Sequence, residues 1–212
     1  MLEEIVNRRV QEILQAAAIT RRDFALKTNG GVIACSFTTN CPFWPFSLWT
    51  PTLSLAITES DRTGDCWLVH AQHAQIGVVL SQPVYPTHVT IDHALNQVAD
   101  VNEAPRSMIL WGLVDGESNW ARFKSLDIIA TGDGISTSPL SRQTQKFVPL
   151  ASFVYDVSRS PSQTFAVFDH IRLSRMDFTT VVLEIRNNWG SEKTCLYRMR
   201  IHGEPVAGNL DV

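Results

Sequence analysis

The chain has 212 residues, of which 44% are hydrophobic and 18% are charged, a composition typical of one globular domain and not of a disordered chain. Its formal net charge is -3 and its Lys and Arg residues are scattered, which argues against a nucleic-acid partner because phosphates demand a clustered basic surface. No window of about 18 uninterrupted apolar residues occurs, so the sequence predicts no membrane-spanning helix.

The first predicted element is a helix over residues 2 to about 18, which we assign to a helical stem of residues 1–22. Apolar residues recur in it at the three- and four-residue spacing of one helix face, namely Leu2, Val6, Val10, Ile13 and Ala17. So short a helix is marginal alone, and it either packs on its own domain or forms the end of a coiled coil that sets the oligomeric state. Because Met1 leads into it without a signal peptide, we expect a piece of a longer protein.

From Asp23 onward the pattern changes to short strands separated by turn residues. The strand-like segments are residues 76–80, 89–91, 108–111, 153–155, 165–168, 181–185 and 196–201. Helix signals after residue 20 are weak, and the Gly/Ser/Thr-rich run 133–145 is typical of a flexible loop. So many short strands with intervening loops predict an all-β fold, an antiparallel and jelly-roll-like β-sandwich.

An aromatic stretch at residues 35–55 interrupts the strand pattern. It contains Phe37, Phe43, Trp44, Phe46, Leu48 and Trp49, and it is broken by three prolines. Prolines exclude a central strand because they lack the N–H that a ladder needs, and so many aromatic side chains are costly to leave in water. The stretch either packs back on the sandwich as an irregular loop or forms a projecting hairpin that a partner completes.

Four cysteines, Cys35, Cys41, Cys66 and Cys195, leave two interpretations open. Paired cysteines, for which three connectivities exist, would indicate an oxidising compartment. Free cysteines would be small buried core residues, which is a common role of this residue type.

Ordered sequence blocks run through most of the chain, from Asp23 to Pro205. In order they are Asp23-Phe24-Ala25-Leu26 before a glycine pair, Gly64-Asp65-Cys66-Trp67, Val89-Thr90-Ile91-Asp92-His93, Ala104-Pro105-Arg106, Phe153 with Tyr155-Asp156, Gln163-Thr164-Phe165, and Asn188-Trp189-Gly190 leading into Cys195-Leu196-Tyr197-Arg198 and His202-Gly203. In this order and over this length, the blocks resemble the SUN domain.

The resemblance implies a β-sandwich at residues 23–205 followed by a short tail at 206–212. It implies a protein of the inner nuclear membrane whose domain faces the perinuclear space, assembles as a homotrimer and binds the C-terminal peptide of a KASH protein. The two proteins together form the LINC complex, which couples nucleus and cytoskeleton. Residues 35–55 would then be the KASH lid, a hairpin that clamps the peptide as an added strand, and any membrane segment would lie outside this chain.

The resemblance places His93 and Tyr197 in the pocket that receives the carboxylate at the end of the peptide, with Phe43, Trp44 and Trp49 of the lid beside the peptide. A carboxylate removed from water requires hydrogen-bond donors, and a phenolic O–H and an imidazole N–H are suitable. Without the resemblance, a histidine at a strand end and a tyrosine in an alternating strand would be interpreted as structural residues.

Glu103 is a departure from the family, which has a serine at this place before Ala-Pro. A second carboxylate would repel the carboxylate of the peptide unless the side chain of Glu103 turns away or is protonated. Glu103 is therefore not included among the binding residues.

The resemblance also implies a disulfide between Cys66 and Cys195, next to a loop that binds a monovalent cation such as K+ through backbone carbonyls. The matching loop is residues 58–65, in which Thr63 and Asp65 flank a glycine. Cys35 and Cys41 lie near the place of a lid cysteine that bonds to the peptide in many family members. They therefore pair with each other, form an intermolecular disulfide with the partner, or stay free.

No phosphate-binding glycine loop and no Gly-x-Ser-x-Gly motif occurs, and nothing in the sequence favours an enzyme. The alternative function is a glycan-binding β-sandwich module in which exposed Trp44, Trp49 or Trp67 stacks on sugar rings. It predicts glycan binding by a monomer, whereas the SUN-domain interpretation predicts peptide binding.

Overall fold

The computed structural model describes residues 21–41, 52–60, 62, 64–93, 100–126 and 145–207. Outside these residues lie almost all of the predicted stem, the lid aromatics Phe43, Trp44 and Trp49, Thr63 of the predicted cation loop, and the Gly/Ser/Thr-rich run up to residue 144. The tail is described only at residues 206 and 207. No helix in the described part of the chain has the length and apolar content that a membrane crossing requires.

The described residues form nine strands: β1 (Val32–Ile33), β2 (Trp67–Val69), β3 (Ala74–Asp92), β4 (Pro105–Val114), β5 (Lys146–Val154), β6 (Ser162–Ala166), β7 (Phe178–Asn188), β8 (Thr194–Leu196) and β9 (Arg198–Pro205). Two short helices lie between them, α1 (Glu117–Ser125) and α2 (Asp169–Ser174). All pairs between these strands are antiparallel. The prediction of an all-β antiparallel sandwich is confirmed.

β3 is the strand that organises the fold. Its first part pairs with β1 and β7, and β7 pairs in turn with β4, which pairs with β5. After a register break between Val79 and Val84, its second part pairs with β6 along one edge and with β9 along the other. The break contains Pro83, which has no N–H to donate to a ladder. β3 thus contributes to both layers of the sandwich, and β2 and β8 form a separate two-stranded sheet.

The main core lies between the two layers, and β3 and β7 supply its centre. Ile76, Val78, Val181 and Leu183 are fully buried there. Val182, between the last two, is also fully buried but belongs to a cluster on the opposite face of the sheet. β7 is therefore covered on both faces, which explains why its sequence is a continuous apolar run and not an alternating one.

The smaller cluster on the outer face of the sheet consists of Phe37, Ile109, Trp111, Phe147 and Val182. Residues 34–39 lie across this face and are tied to β3. The Ala34 N–H donates to the Gly77 carbonyl at 2.8 Å, and the Thr39 N–H donates to the Gln75 carbonyl at 2.8 Å. A Cβ at Gly77 would lie 2.7 Å from Phe37 Cβ, so the close approach of the segment depends on this glycine.

The described ends of the aromatic stretch form 3₁₀ turns and not strands. Cys35–Phe37 and Leu53–Ile57 each form such a turn. Phe37, Leu53 and Ile57 are buried, so both ends pack back onto the domain. Residues 42–51, which would form the projecting hairpin, lie outside the described part of the chain, so the hairpin stays a prediction.

The sequence pattern does not predict the two helices, because both are short and are fixed by tertiary contacts. The buried residue of α1 is a polar one, Asn119, whose side-chain amide donates to the Asp177 carbonyl at 2.6 Å. α2 has six residues and is followed by Arg175, which adopts a left-handed backbone conformation with φ 56°.

Candidate functional site

His93 and Tyr197 lie side by side at one end of the sandwich. His93 directly follows β3, and Tyr197 directly precedes β9. The two strands pair as far as Asp92 and Arg198, so the residues one step beyond this pair are brought together. Their ring centroids are 4.9 Å apart and their planes are at 85°, an edge-to-face contact. The structure thus places next to each other the two residues that the resemblance assigns to the carboxylate pocket.

The imidazole of His93 is buried and lacks hydrogen-bond partners. The residue is 8% exposed, and neither Nδ1 nor Nε2 contacts a donor or acceptor in the described part of the chain. Burial lowers the pKa of His93 to about 4, so the ring is neutral at neutral pH and offers one N–H donor and one acceptor. Leaving such a buried group unpaired costs about 1–3 kcal/mol, so a ligand with complementary polar atoms would relieve this cost.

The two tyrosines near His93 differ in whether the hydroxyl group accepts or donates its hydrogen bond within the domain. Tyr197 accepts a hydrogen bond from the Gly64 N–H at 3.2 Å, so its own proton is available for an acceptor outside the protein. Tyr155, whose ring centroid lies 6.1 Å from that of His93, donates its proton to the Pro161 carbonyl at 3.0 Å. Burial raises the pKa of Tyr155, which keeps this hydroxyl protonated. Of the two hydroxyls, that of Tyr197 is therefore the one whose proton is not donated to another group among the described residues.

The loop at residues 58–65 is held by hydrogen bonds within itself. The Ser60 hydroxyl donates to Asp65 Oδ2 at 2.6 Å, and the Arg62 N–H donates to Ser60 Oγ at 3.2 Å. The carbonyls of Arg62 and Gly64 accept the N–H groups of Asp65 and Cys66, respectively, and each carbonyl keeps one lone pair. The loop is connected to the site through the hydrogen bond from Gly64 to Tyr197.

No group of three or more His, Cys, Asp and Glu side chains is placed to hold a metal ion within the described ranges. A cation at the loop would therefore depend on backbone carbonyls, as the resemblance implies. Thr63, the other residue predicted there with Asp65, lies outside the described residues.

Cys66 and Cys195 form a disulfide, with their Cα atoms 5.5 Å apart. Both lie at the ladder of β2 and β8, in which Cys195 is the register partner of Leu68. Cys66 directly follows the loop at 58–65, and Cys195 lies two residues before Tyr197. The disulfide therefore links the loop at residues 58–65 covalently to the segment that precedes Tyr197.

Cys35 and Cys41 form a second disulfide with each other, with their Cα atoms 5.3 Å apart. A 3₁₀ turn at Cys35–Phe37 and a hydrogen bond from the Cys41 N–H to the Thr38 carbonyl lie between the two residues. The alternative of four free core cysteines is wrong, because none of the four is free. An intermolecular disulfide with the peptide stays a prediction. Cys35 is exposed, whereas Cys41 packs against the main core.

Glu103 lies in a short 3₁₀ turn, Val101–Glu103, against the Asn-Trp-Gly turn, where the Trp189 N–H donates to the Ala104 carbonyl at 3.3 Å. Glu103 is half-buried there, and its effect on the pocket stays a prediction.

Trp189, Arg106 and Gly64 lie around the site, although the sequence analysis does not assign them to it. The Trp189 indole N–H donates to the Tyr155 carbonyl at 3.1 Å, and the Arg106 guanidinium carbon lies 4.6 Å from the centroid of the Trp189 ring. Gly64, which donates to Tyr197, has a φ of 93°, a conformation that favours glycine. All three belong to the blocks that carry the family resemblance, and that membership was the signal available in the sequence.

Trp67 is the one tryptophan of the glycan-binding alternative that lies among the described residues. Trp67 is 2% exposed and packs in the main core, so it cannot stack on a sugar ring, and that part of the alternative is wrong. Phe43, Trp44 and Trp49 lie outside the described residues, so their role beside a peptide stays a prediction.

Residues 51–128 and 121–205 match the family described as Sad1 / UNC-like C-terminal, which is the SUN-domain family. This chain belongs to that family. The SUN-domain chain is 28% identical over 222 residues to SUN domain-containing protein 2 of Mus musculus, covering 96% of this chain and 26% of that protein. It is 29% identical over 204 residues to SUN domain-containing protein 1 of Homo sapiens, covering 87% of this chain and 22% of that protein.

A third relative of this SUN domain is the nuclear migration and anchoring protein unc-84 of Caenorhabditis elegans, 24% identical over 202 residues, with 87% of this chain and 16% of that protein covered. The chain thus spans about a quarter or less of the length of these three relatives.

Solved structures with the same fold include the family 32 carbohydrate-binding module of Streptococcus pneumoniae EndoD, with a TM-score of 0.56, 9% identity, and 86% of this chain and 100% of that chain covered. Allantoicase of Saccharomyces cerevisiae has a TM-score of 0.53 and 12% identity, with 86% of this chain and 48% of that chain covered. At these identities the likeness is one of fold alone, and it agrees with the sandwich architecture of this SUN domain.

Proposed function

We propose that this domain binds the C-terminal peptide of a KASH protein and so serves in a bridge across the nuclear envelope that links nucleus and cytoskeleton. The observation that carries the proposal is the buried imidazole of His93, whose two ring nitrogens have no partner among the described residues, against the ring of Tyr197. Membership of the SUN-domain family supports the setting, since one relative is named a nuclear migration and anchoring protein. The role is binding and not catalysis.

The chemistry of the two side chains suits a terminal carboxylate. The Tyr197 hydroxyl donates to one carboxylate oxygen, and an N–H of His93 donates to the other. Hydrogen bonds to an ionised acceptor are roughly twice as strong as those between neutral groups. The negative charge also raises the pKa of His93 above its value of about 4 in the free protein, which favours a protonated ring and adds charge assistance.

Strand addition supplies the remaining affinity through main-chain hydrogen bonds. In this proposal the lid at residues 35–55 clamps the peptide as an added strand, and Phe43, Trp44 and Trp49 cover its apolar side chains. The described base of the lid, residues 35–41, supports this role because it is fixed to the domain. A disulfide links Cys35 to Cys41, and the Thr39 N–H donates a hydrogen bond to the Gln75 carbonyl of β3.

We place the domain in the perinuclear space, as part of an inner nuclear membrane protein whose membrane segment lies outside this chain. Two disulfides within the described residues suit an oxidising compartment. The functional assembly in this proposal is a homotrimer set by the helical stem of residues 1–22. A net charge of -3 continues to argue against nucleic acid as a partner.

The loop at residues 58–65 is part of the proposal as a site for K+, which takes oxygen ligands. The free lone pairs of the Arg62 and Gly64 carbonyls, with the carbonyls of Thr63 and Asp65, would hold the ion. Bound K+ would fix the loop whose Gly64 N–H donates to the Tyr197 hydroxyl. Replacing K+ by a large organic cation is then expected to weaken peptide binding without unfolding the domain.

The experiment that tests the proposal compares two forms of one fluorescent KASH-type peptide, a free acid and its C-terminal amide. Each is titrated by fluorescence anisotropy against this chain fused at its N-terminus to a trimeric coiled coil, with the mass checked by light scattering. The proposal predicts that the free acid binds and that amidation weakens binding at least about tenfold, because a charge-assisted hydrogen bond is worth about 1.5–3 kcal/mol. A folded trimer that binds neither form, or both forms equally, contradicts it.

The glycan-binding alternative is not proposed. Trp67 is buried, and the likeness to a carbohydrate-binding module is one of fold alone.

A further inference from the structure

We infer that Asp23 is a positioning residue for the candidate site, through which the segment that enters the domain from the stem is coupled to Tyr197. The inference rests on the proposed function and deepens it. It concerns how the site is held and how its occupancy is communicated to the N-terminal side of the domain, at a residue that itself touches no ligand.

The carboxylate of Asp23 connects two parts of the chain that are distant in sequence. Its Oδ1 accepts the N–H of Ala25 at 3.0 Å and the N–H of Ile201 at 3.2 Å. Its Oδ2 accepts a hydrogen bond from Arg198 Nη2 at 3.0 Å. Asp23 is only 7% exposed, so these bonds form away from water, where ion pairs and hydrogen bonds are strongest. One side chain thus joins the N-terminal segment to both the backbone and the first side chain of β9.

Arg198 is the link between Asp23 and the site, because it directly follows Tyr197 and is the register partner of Asp92, which precedes His93. Its side chain is 16% exposed, and its Nε is buried without a partner in the described part of the chain. The second carboxylate beside it, that of Glu59, lies 3.2 Å from Nη2 but is 69% exposed. Water screens the exposed pair, so the buried pair with Asp23 determines where the Arg198 side chain lies.

The segment around Asp23 is itself fixed along the outer edge of β9. The Phe24 N–H donates to the Ile201 carbonyl at 2.9 Å, and Phe24 is fully buried. Nδ1 of the buried His202 lies 3.0 Å from the Arg22 carbonyl and donates to it, since a carbonyl can only accept. Residues 22–25 therefore lie along β9 and are hydrogen-bonded to it. A displacement of these residues would displace the strand that begins next to Tyr197.

Coupling between two sites is reciprocal, so a ligand at one site must affect the other by the same free energy. A peptide carboxylate that holds Tyr197 in place is expected to stabilise the hydrogen bonds of Asp23 with Ala25 and Ile201. Conversely, displacement of residues 22–25 is expected to weaken peptide binding. In a protein that bridges two membranes, tension along the stem would act on the site through this contact.

The substitution Asp23→Asn tests this coupling selectively. Asparagine has nearly the same shape and keeps an oxygen for the N–H groups of Ala25 and Ile201, but it places an NH2 donor or an uncharged oxygen against Arg198. The matched control is Glu204→Gln, which neutralises an exposed carboxylate paired with Arg175 near the other end of β9. Both variants are made in the trimeric fusion, with folding checked by circular dichroism and thermal unfolding.

Three readouts are expected to separate the variants. Without peptide, the ring resonances of His93 and Tyr197 shift in Asp23→Asn and stay in place in Glu204→Gln. The affinity for the free-acid peptide falls about tenfold in Asp23→Asn, within the usual range of coupling between sites, and less than about twofold in Glu204→Gln. Peptide binding slows hydrogen exchange at the amides of Ala25 and Ile201 in the unsubstituted chain and in Glu204→Gln, but not in Asp23→Asn.

Unchanged ring resonances and an unchanged peptide affinity in folded Asp23→Asn overturn the inference. If the unsubstituted chain binds no peptide, the proposed function fails, while the peptide-free resonances still decide whether Asp23 positions the two rings. Should Asp23→Asn fail to fold, Arg198→Lys serves as the second variant. It keeps the charge but reaches one carboxylate only, so the same shifts of His93 and Tyr197 are expected, and their absence overturns the inference equally.

Discussion

The ring of His93 and the ring of Tyr197 meet at 85°, with their centroids 4.9 Å apart. The contact joins the residue after β3 to the residue before β9, and the ladder between these strands extends to the pair of Asp92 and Arg198 just below it. The two rings are therefore positioned by paired strands and not by free loops. Sites built on regular elements hold their geometry more closely than sites on loops.

The hydroxyl of Tyr197 can be removed with little effect on the fold. Tyr197→Phe deletes the group that accepts the Gly64 N–H and that would donate to a carboxylate. We expect the affinity for a free-acid peptide to fall roughly 10- to 100-fold, since a hydrogen bond to a charged group is worth about 1.5–3 kcal/mol. Anisotropy titration measures the loss. The control is Tyr85→Phe, whose ring stacks under Arg175 in another part of the domain and whose affinity should not change.

The buried state of His93 predicts a pH dependence of stability. Burial lowers the pKa of His93 from 6.5 to about 4, so between these values the unfolded chain binds a proton that the folded chain does not. The free energy of unfolding should therefore fall as the pH drops from 6.5 towards 4, and His93 alone should account for about 3 kcal/mol of the fall. This contribution is fully present above pH 6.5.

Urea unfolding at a series of pH values measures this effect. His93→Gln should remove its part of the slope between pH 6.5 and 4, whereas His73→Gln, at an exposed position, should leave the slope unchanged. An equal slope in the chain with and without His93 would show that the imidazole is not buried in a neutral form.

The two disulfides should contribute unequally to stability. The bond between Cys66 and Cys195 spans 129 residues, and the bond between Cys35 and Cys41 spans six. Loop-closure entropy gives about 5 kcal/mol for the long loop and about 2 kcal/mol for the short one. Replacing each pair by serines and measuring denaturant unfolding tests the order. A larger loss from the short loop would mean that Cys35 and Cys41 stabilise the fold by another route.

The packing of residues 34–39 on the face of the sheet can be tested at Gly77. A Cβ there would lie 2.7 Å from Phe37 Cβ and 3.0 Å from the Ala34 carbonyl oxygen, so Gly77→Ala should lift residues 34–38 and cost about 1–3 kcal/mol. Thermal unfolding measures the cost. Val79→Ala is the comparison, because Val79 lies on the same face of β3 but is 39% exposed and should cost less than about 1 kcal/mol. Equal costs would place the segment elsewhere.

The fold could largely be predicted because its strands carry strong local signals. The apolar runs at residues 108–111 and 181–185 lie within β4 and β7, and their apolar side chains are buried. The length of β3 could not be predicted, because Ser81-Gln82-Pro83 has the composition of a turn, and the strand continues beyond the break through pairing with β6 and β9. The helix α1 could not be predicted either, because its buried residue is polar and gives no apolar periodicity.

The site was predictable only in part. The blocks around His93 and Tyr197 carry the family resemblance, but the contact between the two rings depends on a strand pairing across about a hundred residues. The bond from Gly64 to Tyr197 and the ion pair of Asp23 with Arg198 join residues 133 and 175 positions apart. No local sequence pattern predicts such contacts, because they arise from the tertiary fold.

Capture of the peptide carboxylate by His93 and Tyr197 is tested most directly by the nitrogen NMR spectrum of the His93 imidazole in the trimeric fusion, recorded with and without a saturating free-acid KASH-type peptide. Both ring nitrogen resonances are expected to shift on binding, and the pKa of His93 is expected to rise above its value of about 4 in the free protein. A peptide that saturates the domain while the His93 resonances and pKa stay unchanged would contradict capture of the carboxylate at this site.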